Sequence, residues 1–164
     1  MGLPCHRNSL AGLNPRILID ADACPVKDET YRVAIRHGVP VTVVSNSGHR
    51  LPGHPLITQV VVSDAFDAAD DWIAAACDAG ALVITGDILL ADRALKAGAT
   101  VIAHTGRPFT TSSIGAAIAT RAIMADLRAG GDVVGGPAAF SKDDRSRFLQ
   151  ALDTALVRLK RQAG

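Results

Sequence analysis

Apolar runs at residues 17–19, 41–44, 59–62, 82–84 and 100–102 are three or four residues long and stop at turn-forming residues. Runs of that length suit buried strands better than helices. Helical patterns stand between most of them. Short apolar strands alternating with helices specify a mainly parallel sheet covered on both faces. The predicted class is therefore α/β, a three-layer α/β/α fold around a mainly parallel five-stranded sheet. A chain of 164 residues fills one such domain and is too short for two.

The helices carry their own punctuation. Pro25 suits a first helical turn, and Val26, Tyr31, Val33, Ala34 and Ile35 continue to Gly38. Residues 49–55, rich in Gly, Pro and His, form a loop after the second strand. Ser63 is placed to cap a helix in which Phe66, Ala69, Ile73 and Ala76 recur at helical spacing. Thr85-Gly86-Asp87 turns into a helix ending near Gly98, and Ser112 or Ser113 caps another that runs to Arg128. A Gly-rich break over 130–137 precedes the last helix, which opens on a capping box at Ser141-Lys142-Asp143-Asp144 and stripes Phe148, Leu152, Leu156 and Leu159. Residues 1–15, with Pro4, Gly12, Asn14, Pro15 and no period, read as a flexible leader before a single domain over 16–164.

Several classes are disfavoured. No apolar run approaches the roughly 18 residues that span a bilayer. The first residues lack the basic start and apolar stretch of a signal peptide, so a cytoplasmic protein is expected. Cys5, Cys24 and Cys77 are odd in number and without CxxC spacing, which argues against a disulfide framework and a zinc knuckle. The formal charge of +1 is nearly balanced, so any nucleic-acid binding must rest on local patches.

Three of the five predicted strands end in polar clusters, Asp20/Asp22, Ser45/Asn46 and Thr85/Asp87. In open parallel sheets ligands collect outside the carboxyl ends of the strands. Unpaired carboxylates within about 4–6 Å raise one another's pKa and stay ionised only with a cation. An all-oxygen set suits Mg²⁺ or Mn²⁺. Asp20, Asp22 and Asp87 are the expected catalytic acids. Asp67 and Asp70, three apart on one helix face, and Asp92, near the start of the 88–97 helix, are expected further metal ligands. Asp22 and Asp87 also fit as helix caps, and Asp67, Asp70 and Asp71 as an acidic first turn facing water. Asp20, at the tail of an apolar strand, has no such plain explanation.

Lys27, Asn46, Arg50, Arg107 and Arg121 are the candidate substrate contacts, since a polyanion needs cations and donors beside the acids. Lys27 is equally compatible with a solvated first-turn lysine. Cys24 lies among aspartates that oppose thiolate formation, so a structural thiol is expected there.

Asp20-Ala21-Asp22-Ala23-Cys24-Pro25-Val26, Phe66-Asp67-Ala68-Ala69-Asp70, Val83-Ile84-Thr85-Gly86-Asp87 with Leu90-Ala91, and Gly135-Gly136-Pro137 followed by Asp144-Arg145 and Phe148 resemble the uncharacterised bacterial YaiI/YqxD family. The likeness covers about residues 16–160. That family is grouped with the PIN-like nucleases, whose acids bind Mg²⁺ or Mn²⁺ and hydrolyse phosphodiesters, usually in RNA. The resemblance implies Asp20, Asp22 and Asp87 at the strand ends, Asp67 and Asp70 on a helix, and Asn46 as a polar neighbour. Two positions depart from the family's habit. Thr105-Gly106 stands where many relatives have Arg-Gly, and Leu89 replaces a frequent Pro.

Three functions compete. The first is a metal-dependent nuclease or phosphodiesterase acting on RNA or another nucleic acid. The second is a haloacid-dehalogenase-like phosphatase, with Asp20-Ala21-Asp22 as its nucleophile motif and Ser45 on phosphate, although no lysine occurs between Lys27 and Lys96. The third is a non-catalytic module that binds RNA or a protein.

Overall fold

The computed structural model describes residues 14–65, 67–129 and 140–163. Along the chain run β1 (Arg16–Asp20), a 3₁₀ turn (Ala21–Ala23), α1 (Lys27–His37), β2 (Val41–Ser45), β3 (Ile57–Val61), α2 (Ala68–Ala75), β4 (Ala81–Ile84), α3 (Ile88–Lys96), β5 (Thr100–Ile102), β6 (Pro108–Phe109), α4 (Thr111–Ala129) and α5 (Lys142–Ala163). The strands form one sheet in the order β3-β2-β1-β4-β5-β6. The first five are parallel, and β6 pairs antiparallel with β5. The expected α/β class holds, and a sixth strand of two residues extends the expected five. Most of the predicted leader and the Gly-rich break lie outside the described residues, as does Phe66.

The order of strands positions the site. From β1 the chain winds outward through β2 to β3, then returns to lay β4 on the other side of β1. The winding reverses between β1 and β4, and such reversals leave a crevice at the carboxyl ends of the two strands. Asp20 ends one of these strands, and Thr85 follows the other.

Alternation along the strands divides the core. Ile17, Ile19, Ile84 and Ile102 face one side and pack with Tyr31 and Val33 of α1 and Phe148, Leu152 and Leu156 of α5. Leu18, Val83 and Val101 face the other, against Ile73, Leu90, Ala94 and Ile114. The small alanines of α3 let that helix lie close to the sheet. Among the described residues no helix is long and apolar enough to cross a membrane.

Several boundaries differ from expectation. Ser63 does not cap α2; its Oγ accepts from the Ala65 amide, 3.4 Å away, in a turn. The helix starts at Ala68, after Asp67 takes a left-handed conformation with φ 69°. Thr110, rather than Ser112 or Ser113, caps α4, its Oγ1 accepting from the Ser113 amide at 3.1 Å. The α5 capping box is as expected: Ser141 Oγ accepts from the Asp144 amide and Asp144 Oδ2 from the Ser141 amide, both at 3.1 Å. Gly106, with φ 88°, turns the chain from β5 to β6 against the backbone of α5.

Candidate metal centre

Each acid at the sheet edge owes its position to a local device. Asp20 is the last residue of β1 and half-buried, with Thr85 Oγ1 donating to its Oδ2 at 3.1 Å. The same hydroxyl accepts from the Asp87 amide at 3.0 Å, so one buried threonine ties the ends of β1 and β4 together. Asp87 caps α3, its Oδ1 accepting from Leu89 N at 2.9 Å and Leu90 N at 3.3 Å. Its cap role is therefore real, and both bonds fall on one oxygen. Asp22 stands exposed on the 3₁₀ turn, where Lys27 Nζ secures the backbone by donating to the carbonyls of Ala21 (3.0 Å) and Cys24 (2.8 Å).

These acids meet in a cleft of about 270 Å³ lined by Asp20, Asp22, Asp64, Asp67, Asp70 and Asp87, together with Asn46, Ser63 and the alanines at 65, 68 and 69. Among the described residues no lysine or arginine lines it. The acids feel one another across it. Burial pushes the Asp20 carboxyl above its ordinary range, the Thr85 hydrogen bond opposes this, and Asp22 and Asp87 add to the rise. Burial likewise raises Asp70, helped by Asp87, Asp20 and Asp67, to about 6. Among the described residues no three Asp, Glu, His or Cys side chains yet converge as a ready chelate. Asp22, Asp64 and Asp67 are the exposed acids of the cleft, whereas Asp20, Asp70 and Asp87 are half-buried.

The sequence-predicted set divides. Asp20, Asp22, Asp67, Asp70, Asp87 and Asn46 are brought together. Asp92 is not: it lies five residues beyond Asp87, roughly 7 Å along the helix at 1.5 Å per residue, and its Oδ2 pairs with Lys96 Nζ at 2.9 Å. Lys27 Nζ is engaged by carbonyls of the 3₁₀ turn and does not line the cleft. Arg50, Arg107 and Arg121 are exposed and outside the cleft lining. Asp71 pairs with Arg93 at 2.9 Å, the solvated role expected of it. Cys24 is buried, and that burial pushes its thiol up, as befits a structural group. Sequence reasoning missed Asp64, because Ser63 has the signature of a cap for a helix that actually starts at Ala68. It also missed the bridging role of the Thr85 hydroxyl.

A pH dependence follows from Asp70. Its carboxyl titrates near 6 in the folded protein against 3.8 ordinarily, so its ionisation opposes folding. Without divalent cation, this destabilisation is absent below pH ~4, grows as pH rises from ~4 to ~6, and is constant above that. Asp70→Asn is expected to be more stable than wild type at pH 7.5 in EDTA, by about 1 kcal/mol after allowance for solvent screening. The difference should vanish near pH 4. Urea denaturation at the two pH values measures it.

Comparison with known proteins places the chain among relatives without an assigned activity. A family model described as "Uncharacterized BCR, YaiI/YqxD family" matches residues 18–158. A UPF0178 protein of Sphingopyxis alaskensis is 73% identical over 148 residues, covering 90% of this chain and 96% of the relative. One from Jannaschia sp. is 61% identical over 146 residues, covering 88% and 94%, and one from Rhodopseudomonas palustris 54% identical over 147 residues, covering 90% of each. No solved structure matches the chain.

Proposed function

The chain belongs to the YaiI/YqxD family, and from its cleft we propose that it is a Mg²⁺- or Mn²⁺-dependent phosphodiesterase acting on RNA or another nucleic acid. The observation that carries this reading is a strand-end cleft lined by six aspartates and, among the described residues, no lysine or arginine. Left alone, such a cleft repels every phosphate. A hard divalent cation reverses that sign, and oxygen-only ligands suit it.

Asp20, Asp22 and Asp87 would hold the ion, with Asp67 beside them. A bound Mg²⁺ or Mn²⁺ supplies Lewis acidity and neutralises charge at a phosphoryl group. Thr85 keeps the Asp20 carboxylate turned toward the cleft. Asp70, half-buried in the same cleft, would complete the ion's shell or take a proton from an attacking water. Asn46 offers an uncharged donor at the rim. Arg50, four residues farther along the same loop, would meet the flanking backbone phosphates, while Arg107 and Arg121 would act at longer range. Nucleic acid as substrate rests on the resemblance to PIN-like nucleases.

The phosphatase alternative fares worse. Ser45 is fully buried and its hydroxyl donates to the Ser47 carbonyl, which leaves it poorly placed to bind phosphate. Among the described residues no lysine lines the cleft to replace it.

Purified protein is expected to cleave labelled single-stranded RNA with Mn²⁺ or Mg²⁺, to stop in EDTA, and to lose activity as Asp87→Asn. Cleavage that persists equally in EDTA or in that variant would overturn the proposal. Hydrolysis of a phosphate monoester alone would favour the phosphatase. Cation-dependent RNA binding without cleavage would favour a non-catalytic module.

A further inference from the structure

The three strand-end acids are unequally restrained. Asp20 is held by the Thr85 hydroxyl and Asp87 by two backbone amides. Asp22 has no hydrogen bond among the described residues, and its side chain is 41% exposed. A ligand that swings freely binds an ion weakly, because ordering it costs rotamer entropy.

One polar group stands within reach. His49 Nε2 lies 3.7 Å from Asp22 Oδ1, just beyond hydrogen-bond distance. That ring nitrogen is buried and has no hydrogen-bond partner among the described residues. The backbone at His49 is tied to β3, its amide donating to Gln59 Oε1 at 2.7 Å. His49 is not among the residues lining the cleft. It therefore backs Asp22 instead of facing a substrate.

We propose that His49 is a positioning residue for the cation site: its Nε2–H donates to Asp22 and holds that carboxylate toward a bound divalent ion. The inference rests on the cation reading of the cleft. A small rotation of Asp22 would close the 3.7 Å gap and satisfy the orphaned nitrogen, leaving the other carboxylate oxygen free to hold an ion. The neutral imidazole suffices, provided its proton sits on Nε2. Groups of this kind, one shell behind the ligands, typically change metal affinity by about 10–100-fold when removed.

Calorimetric titration with Mn²⁺ alone, without nucleic acid, tests the assignment. His49→Phe, which keeps a ring and removes the donor, is expected to weaken Mn²⁺ binding about tenfold. His49→Gln, which can still donate, should recover most of the loss. On an Asp22→Ala background, His49→Phe should cost nothing further, because the two residues act as a unit. Circular dichroism melts check that each variant folds, and a phenylalanine variant that fails to fold is replaced by His49→Ala. Two results overturn the proposal while sparing the cation site: wild-type affinity in His49→Phe when Asp20→Asn binds poorly, or an equal loss with and without Asp22. Failure of the wild-type protein to bind Mn²⁺ overturns both.

Discussion

Asp20→Asn is expected to lower cation-dependent phosphodiester cleavage by about a hundredfold or more, and to raise the thermal midpoint of the same protein. The loss is of the size seen when one preorganised electrostatic partner leaves an active site. The gain in stability has a separate origin. Burial, aided by Asp22 and Asp87, pushes the Asp20 carboxyl up, so its negative charge at neutral pH opposes folding. Asparagine keeps the shape and can still accept from Thr85, without the charge. In EDTA the stabilisation should be full above the folded-state pKa, shrink as pH falls from there to the ordinary carboxyl value, and be absent below it. Melts at pH 7.5 and pH 3.5, beside RNA cleavage with Mn²⁺, measure both halves. A variant that is inactive and also less stable at neutral pH would mean that Asp20 is a satisfied structural acid, and its claim to a site would fall.

Gly106→Ala is expected to cost about 3 kcal/mol or more of folding stability. The residue has φ 88°, a conformation that L side chains rarely adopt. A Cβ there would lie 2.5 Å from the carbonyl carbon of Arg147, 2.6 Å from its oxygen and 2.7 Å from the Phe148 amide nitrogen. These are backbone atoms of α5, anchored by fully buried Phe148, Leu152 and Leu156, so the contact cannot be relieved by a rotamer change. Gly48→Ala is the control. A methyl group added there would meet nothing within 4 Å among the described residues, and its effect should stay within about 0.5 kcal/mol. Urea denaturation of both variants decides the matter. Equal stability would show that α5 shifts at little cost.

Most of the sheet was legible because its strands are runs of β-branched and aliphatic residues with few readings besides burial. Val41–Ser45 and Ala81–Ile84 are buried along nearly their whole length. Ile57–Val61 was harder, since Thr58, Gln59 and Val61 are exposed on an edge strand and its first residues resemble loop. The two-residue β6 carries too little pattern to announce itself. The start of α2 was hidden because Ser63 offers a familiar cap, whereas the chain first makes a turn through left-handed Asp67. That turn carries Asp64 into the cleft. Asp20, Asp22 and Asp87 were legible as strand-end acids. Asp92 was not separable from them until the rise of α3 and its partner Lys96 were seen. The exposed arginines, lacking any period or fixed partner in the sequence, gave no sign of where they would stand.

The side of the sheet covered by α1 and α5 also sets an order of assembly. His37 Nε2 meets Asp153 Oδ1 at 2.6 Å, and Lys160 Nζ donates to the His37 carbonyl at 3.2 Å, although 116 and 123 residues separate these partners. As the polypeptide leaves the ribosome, Ile17, Ile19, Ile84 and Ile102 are all synthesised before α5, one of the two helices that shelter them. Until residues 142–163 emerge, α1 alone can cover this flank, and the part of it that packs on Phe148, Leu152 and Leu156 stays open.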